Sequence, residues 1–236
     1  MDIFTFKSRS LLVPPSTKPY NLKILETSKP SNVNYNSYLK SSVGFPPLHR
    51  VVMQIFEARP PGFFVEAGAL DGEWLSNTLY LEKDKGWQGL LVEPDRKMFA
   101  HLLQKNRRAW SANCCLSVKD YPVKEALVSI SNPKGSGDDV GYRAMNTLLS
   151  SGYPSALSGY ARVTFDQVQC VPLKSLLKAL DVDHVDFVSL DVEGSKILLR
   201  PLLLLMITVF SFVVIVDFSF YLSSKDLLMK MLFLYA

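Results

Sequence analysis

Phe63-Phe64-Val65-Glu66-Ala67-Gly68-Ala69-Leu70-Asp71-Gly72 is an apolar run that stops in an acid, two glycines and a second acid. The run is unbroken, not alternating, which suits a strand buried on both faces of a parallel sheet; the glycines mark a tight loop at its end. In open α/β sheets, ligands bind at such carboxyl ends. Downstream, Trp74 to Lys85 carries Leu75, Thr78, Leu79 and Glu82 at helical spacing, with Gly86 placed to end the helix. Gly89-Leu90-Leu91-Val92-Glu93-Pro94 is a second apolar strand closed by an acid, and Met98, Phe99, Leu102 and Leu103 give a second helix over Arg96 to Asn106, its end suited by Arg107 and Arg108. A third strand is expected in Ala109 to Leu116. Strand, helix, strand, helix, strand is the order of a parallel sheet with right-handed crossovers.

The middle of the chain is less regular. Ala126, Val128 and Ile130 alternate as in a strand, Asn132 to Gly141 is a Gly- and Asp-rich loop, and Val163 to Val171 is extended. Leu173, Leu176, Leu177 and Leu180 mark a helix, which leads into a further apolar strand ending in acids, Val185-Asp186-Phe187-Val188-Ser189-Leu190-Asp191-Val192-Glu193-Gly194. Upstream, Leu48 to Ala58 is an amphipathic helix that Pro60-Pro61-Gly62 stops.

Composition bounds the rest. The 236 residues, 48% of them hydrophobic, supply core for one domain. Residues 1–50 hold seven Lys/Arg against Asp2 and Glu26, so the positive net charge of the chain, +4, sits at this end and the remainder is about neutral. Its cations stand singly among Pro, Ser, Asn and Tyr, the pattern of a solvated extended arm over residues 1–48 and not of a nucleic-acid patch. Three cysteines are too few for a disulfide framework, and adjacent Cys114 and Cys115 cannot readily bridge each other; they are read as packing residues of a buried strand. No metal-ligand spacing is present, and the first ten residues lack the apolar stretch of a signal peptide.

Chemistry is expected where the acidic strand ends converge. Glu66-x-Gly68-x-x-x-Gly72 lets backbone approach a ligand closely, and Glu93, at the end of the second strand, is placed to accept hydrogen bonds from both hydroxyls of a ribose. Gly-x-Gly-x-x-Gly is absent and no phosphate-loop Lys follows, so a nucleoside without a pyrophosphate fits better than a dinucleotide. Asp191 and Glu193, two apart on an extended end, point the same way and can orient an acceptor or take its proton. His49, His101 and His184 are read as structural or surface residues.

Phe64 to Gly72, Ser76-Asn77-Thr78-Leu79-Tyr80-Leu81-Glu82, Gly89 to Pro94, Lys105-Asn106-Arg107-Arg108-Ala109-Trp110 and Val185 to Gly194, in that order, resemble the FkbM-type methyltransferase domain, in the form found in animal proteins related to Star. The resemblance implies a class I methyltransferase-like (Rossmann-like) α/β fold over residues 49–196 that binds S-adenosylmethionine. It assigns Glu66, Gly68 and Gly72 to the first cofactor motif, Glu93 to the ribose and Asp191 to the neighbourhood of methionine and acceptor; the acceptor itself is unknown. It also implies a second reading, a membrane-associated trafficking or interaction protein of the secretory pathway with growth-factor-precursor cargo, in which the domain is a scaffold.

After Glu193-Gly194-Ser195 the chain departs from the family pattern, and the later strands of the domain are expected to be missing. Residues 197–236 form a hydrophobic tail with three readings: an artefact of the gene model, a shortened isoform, or strands that fold back on the sheet. The abrupt change favours the first two. Residues 201–222, whose only charge is Asp217, are long enough to cross a bilayer of about 30 Å, and the strand-favouring run Val209 to Phe218 competes with that reading. The expected location is a membrane of the endoplasmic reticulum or another secretory compartment, or the cytoplasm.

Overall fold

The computed structural model describes residues 9–22, 52–132, 140–151 and 162–191, and the backbone of two strands in the tail, 212–215 and 232–235. The ordered elements are β1 (Leu12–Val13), α1 (residues 52–56), β2 (Phe63–Ala67), α2 (Leu79–Lys85), β3 (Gln88–Val92), α3 (Arg96–Gln104), β4 (Trp110–Ala112), β5 (Cys115–Leu116), β6 (Val123–Ser131), α4 (Val140–Arg143), β7 (Thr147–Leu148), a 3-10 turn (Leu149–Ser151), β8 (Arg162–Val171), α5 (Leu173–Ala179), β9 (Phe187–Leu190), β10 (Phe212–Ile215) and β11 (Leu232–Tyr235).

The main sheet runs β1-β4-β3-β2-β9-β10-β11, parallel from β4 to β10, with β1 and β11 antiparallel at its edges. Its central strands are buried on both faces, which is why they read as unbroken apolar runs. Val65, Ala67, Leu90, Val92, Val188 and Leu190 pack under α5 through Leu173, Leu176 and Leu177. Phe64, Leu91 and Phe187 face the other way, against Val52 and Phe56 of α1, Leu81 of α2 and Leu102 of α3. Gly89 has no alternative here: a Cβ on it would lie 2.3 Å from the Phe64 ring.

Several expectations are corrected. The helix after β2 begins at Leu79, not Trp74, because Ser76, Asn77 and Thr78 spend their donors on Glu66 and Leu75 takes a left-handed backbone, φ +58°. The expected third strand is two, β4 in the main sheet and β5 in a second one. The chain changes sheets at Asn113, whose side-chain amide donates to the carbonyls of Glu93 and Pro94. The arm is not solvated throughout. Leu12 and Val13 pair with Ala112 and Ser111, which covers an otherwise open edge, Ser16 and Asn21 donate backbone N–H groups to Arg107 and Lys105 at the turn after α3, and the Arg108 guanidinium lies over the Tyr20 ring. Residues 1–8 and 23–51 of the arm and first helix lie outside the described residues.

Between β4 and α5 the chain builds a four-stranded sheet, β5-β8-β6-β7, which the sequence showed only as separate extended stretches. A disulfide joins Cys115 of β5 to Cys170 of β8, so the reading of Cys115 as a packing residue is corrected. Cys114 is the buried thiol that remains among the described residues, and burial pushes its pKa up to about 12.

In the tail, β10 lies parallel to β9 and β11 antiparallel to β10. Residues 212–215, inside the expected bilayer-spanning run, are thus a sheet strand, the arrangement of the third reading of the tail. None of the described residues forms a helix long and apolar enough to cross a membrane.

Candidate functional site

The cleft opens at the carboxyl ends of β2, β3 and β9. Its floor is the loop Gly68 to Ser76 with Glu93, Pro94, Leu190 and Asp191; its wall is the second sheet and α4, through Leu116, Val118, Leu127, Arg143, Asn146, Thr147 and Leu148. The space is open to solvent on one side and measures about 1110 Å³ with that open mouth included.

Gly68 is placed by two backbone hydrogen bonds, its own N–H and that of Ala69 both donating to the Val92 carbonyl. Its φ is +83°, and a Cβ there would lie 2.0 Å from the carbonyl oxygen of Asp191. Only glycine fits where β2 and β9 approach so closely. Gly72 also has positive φ, +78°, and its carbonyl accepts from the Arg107 guanidinium.

Glu93 follows β3 and is 5% exposed. One carboxylate oxygen accepts the Leu70 N–H at 2.7 Å and the other the Asp95 N–H at 2.8 Å. An ionised carboxylate has about four acceptor positions, so these two bonds leave one on each oxygen. Burial pushes its pKa up to about 8 against those two hydrogen bonds, and the Asp95 and Asp71 charges push the same way.

Glu66 is placed differently. Alternation along β2 puts it on the Phe64 face, and there its carboxylate accepts from the Ser76 hydroxyl at 2.9 Å, the Asn77 N–H at 2.7 Å and the Thr78 hydroxyl at 2.8 Å. Burial pushes its pKa up, while Arg107 and the three donors oppose. Glu66 is among the expected cofactor residues; its side chain staples the loop that bears Gly68 and does not line the cleft.

Arg107 completes that staple. It is buried, pairs with Glu82 at 3.0 Å, and donates to Ser76 and Thr78 at 3.3 and 3.2 Å. Beside it Lys105 meets Glu73 at 2.6 Å and Asp71 at 3.3 Å; burial lowers the lysine pKa, but the Glu73 hydrogen bond and the Asp71 charge outweigh it and hold the pKa above its ordinary value. Sequence reading took Arg107 for a helix-end charge. Ser76 to Glu82 and Lys105 to Trp110 both stand among the blocks that carry the family resemblance, but no local period ties Arg107 to Gly72, Ser76 and Thr78.

Asp191 lies at the end of β9, its N–H donating to the Ala67 carbonyl, and it lines the cleft facing Gly68. Glu193 lies outside the described residues. His184, exposed and 3.2 Å from Asp186, sits at the opposite end of β9, in keeping with its surface reading. Among the described residues no His, Cys, Asp and Glu cluster could hold a metal.

The cleft thus combines a buried carboxylate with one open acceptor position on each oxygen, the backbone of a glycine loop, and a largely apolar wall. No curated protein and no solved structure matches the chain. A family model does, that of the methyltransferase FkbM domain, over residues 66–197, more than half of the chain. It spans the glycine loop, Glu93, the second sheet and Asp191, and on this match the chain belongs to the FkbM methyltransferase domain family.

Proposed function

We propose that the cleft binds S-adenosylmethionine and that the domain transfers a methyl group to an acceptor held between β9 and the second sheet. The observation that carries this reading is Glu93, whose two open acceptor positions suit the paired hydroxyls of a ribose. The order β4-β3-β2-β9-β10 of parallel strands supports the class I, Rossmann-like assignment. Gly68 lets the loop lie against Asp191 at the cleft floor, and Gly72 and Glu66 keep the loop in shape. When bound, the cofactor's sulfonium supplies a methyl group primed for displacement, so the residues need chiefly to align an acceptor. Asp191, with Glu193 two residues on, is the group assigned to orient the acceptor and take its proton if that acceptor is a hydroxyl.

The disulfide supports a location. A buried bridge between β5 and β8 persists in an oxidising compartment, which agrees with the secretory pathway and not with the cytoplasm. That location also suits the second reading, a trafficking or interaction protein on a methyltransferase scaffold. Ultraviolet cross-linking of labelled S-adenosylmethionine to the full chain separates the two. Label competed by S-adenosylhomocysteine but not by ATP, recovered on peptides containing Gly68 to Ser76 or Glu93 to Val118, supports the cofactor reading. Failure to label a folded sample supports the scaffold.

A further inference from the structure

Asp95 lies two residues beyond Glu93 and has all of its carboxylate positions occupied. One oxygen caps α3, accepting the N–H groups of Lys97 and Met98 at 2.7 and 3.2 Å. The other accepts from the Arg143 guanidinium and, at 2.6 Å, from the Asn146 amide. Its own N–H donates to Glu93. Asn146 in turn accepts the N–H of Ile130 in β6 at 2.7 Å. Arg143 and Asn146 line the cleft from the wall side, and Val140 and Ala144 of the same segment pack with Leu70, Trp74 and Met98. Residues 140–148 therefore lie as a strap from the second sheet, across the glycine loop, to the start of α3.

We infer that Asp95 and Arg143 are positioning residues of the cofactor site, a latch that ties this strap to Glu93 and so sets the width of the cleft and the direction of the ribose-binding carboxylate. The inference rests on the cofactor reading above and goes beyond it in naming what holds the wall. A cap for α3 alone needs only one of the Asp95 oxygens. The second oxygen is spent on a charge-assisted pair with the strap, in a place where both partners are mostly shielded from water, 3% and 15% exposed. Through Asp95 the wall and Glu93 are two ends of one hydrogen-bonded unit, so loosening either end disturbs the other.

Asn is as good a helix cap as Asp, so Asp95→Asn keeps α3 capped while removing the charge that faces Arg143. The test measures S-adenosylhomocysteine affinity by calorimetry, and melting temperature, in the full chain carrying Asp95→Asn, Arg143→Met, Arg143→Lys or the Asn/Met pair. Each of Asp95→Asn and Arg143→Met is expected to weaken binding about tenfold, the pair no more than either alone, and Arg143→Lys to recover most of the loss; Arg143→Met, which leaves Asp95 without its cation, is expected to melt lower than Asp95→Asn although the two lose affinity equally. Wild-type affinity in both single variants overturns the latch. So does a loss that follows melting temperature and is not rescued by Lys, because that describes a stability contact. A folded wild-type chain that binds nothing overturns the cofactor reading itself and removes the latch's role with it.

Discussion

Glu93 is under two opposed demands, ionisation to receive hydroxyl donors and burial at a strand end. Its pKa in the folded chain, about 8, lies above the ordinary 4.5, so between those values the folded protein keeps a proton that the unfolded chain has lost. The sign follows: stability falls as pH rises from about 4.5 to 8, and the whole penalty is present above that range. Denaturant titrations of ligand-free protein across this range should show that decline, and Glu93→Gln should flatten its slope. Affinity for S-adenosylhomocysteine should move the other way, rising with pH in wild type but not in the variant. At Gly68 the expectation is steric. Gly68→Ala places a Cβ against the Asp191 carbonyl on a left-handed backbone and should cost roughly 2–4 kcal/mol, seen as a lower unfolding midpoint at unchanged slope. Both residues were legible in the sequence, since an acid or glycine that ends an apolar run has few other places to be. The side-chain role of Glu66 was less so. It shares a face with Phe64 by simple alternation, a clue that it turns toward α2, but its partners at 76–78 became visible only once that segment was seen to be a loop.

At the scale of elements, the glycine loop is shaped from beneath by Arg107. Arg107→Met leaves Glu82 buried without its partner and should destabilise by about 3–5 kcal/mol, whereas Arg108→Met, at the exposed stacking contact with Tyr20, should cost far less; equilibrium unfolding of the two variants checks the contrast. The second sheet depends on a covalent staple placed where the chain leaves the main sheet and where it returns. Closing a loop across 55 residues should stabilise by roughly 4 kcal/mol on the chain-entropy view. Reductant should therefore lower the melting temperature of wild type, while Cys170→Ser should melt lower from the start and be indifferent to reductant. The α/β alternation of the main sheet could be read from period and length. The wall could not, because β5 and β7 are two residues each and gain their identity from pairing with β8 and β6, a tertiary fact with no local signature. The Cys115–Cys170 pairing was hidden for the same reason.

On the scale of the whole molecule, the sheet is completed by both ends of the chain, β1 from the arm and β10 and β11 from the tail. Hydropathy alone does not distinguish a bilayer-spanning run from strands that belong inside a sheet, and register with β9, at Val214 against Ser189 and Ile215 against Leu190, is a feature of the folded chain. Ending the chain at residue 196 uncovers the β9 edge beside Asp191, so that shortened protein should aggregate or melt well below the full chain; equal melting of the two would show that the tail adds nothing to the sheet. The central claim is that Glu93 makes this cleft a cofactor site. Isothermal titration of S-adenosylhomocysteine into the full chain, wild type and Glu93→Ala side by side at a pH above 8, tests it most directly. The account predicts saturable one-to-one binding by wild type, weakened at least about tenfold in a variant that still folds. Binding that is unchanged by the substitution, or a folded wild type that does not bind, contradicts it.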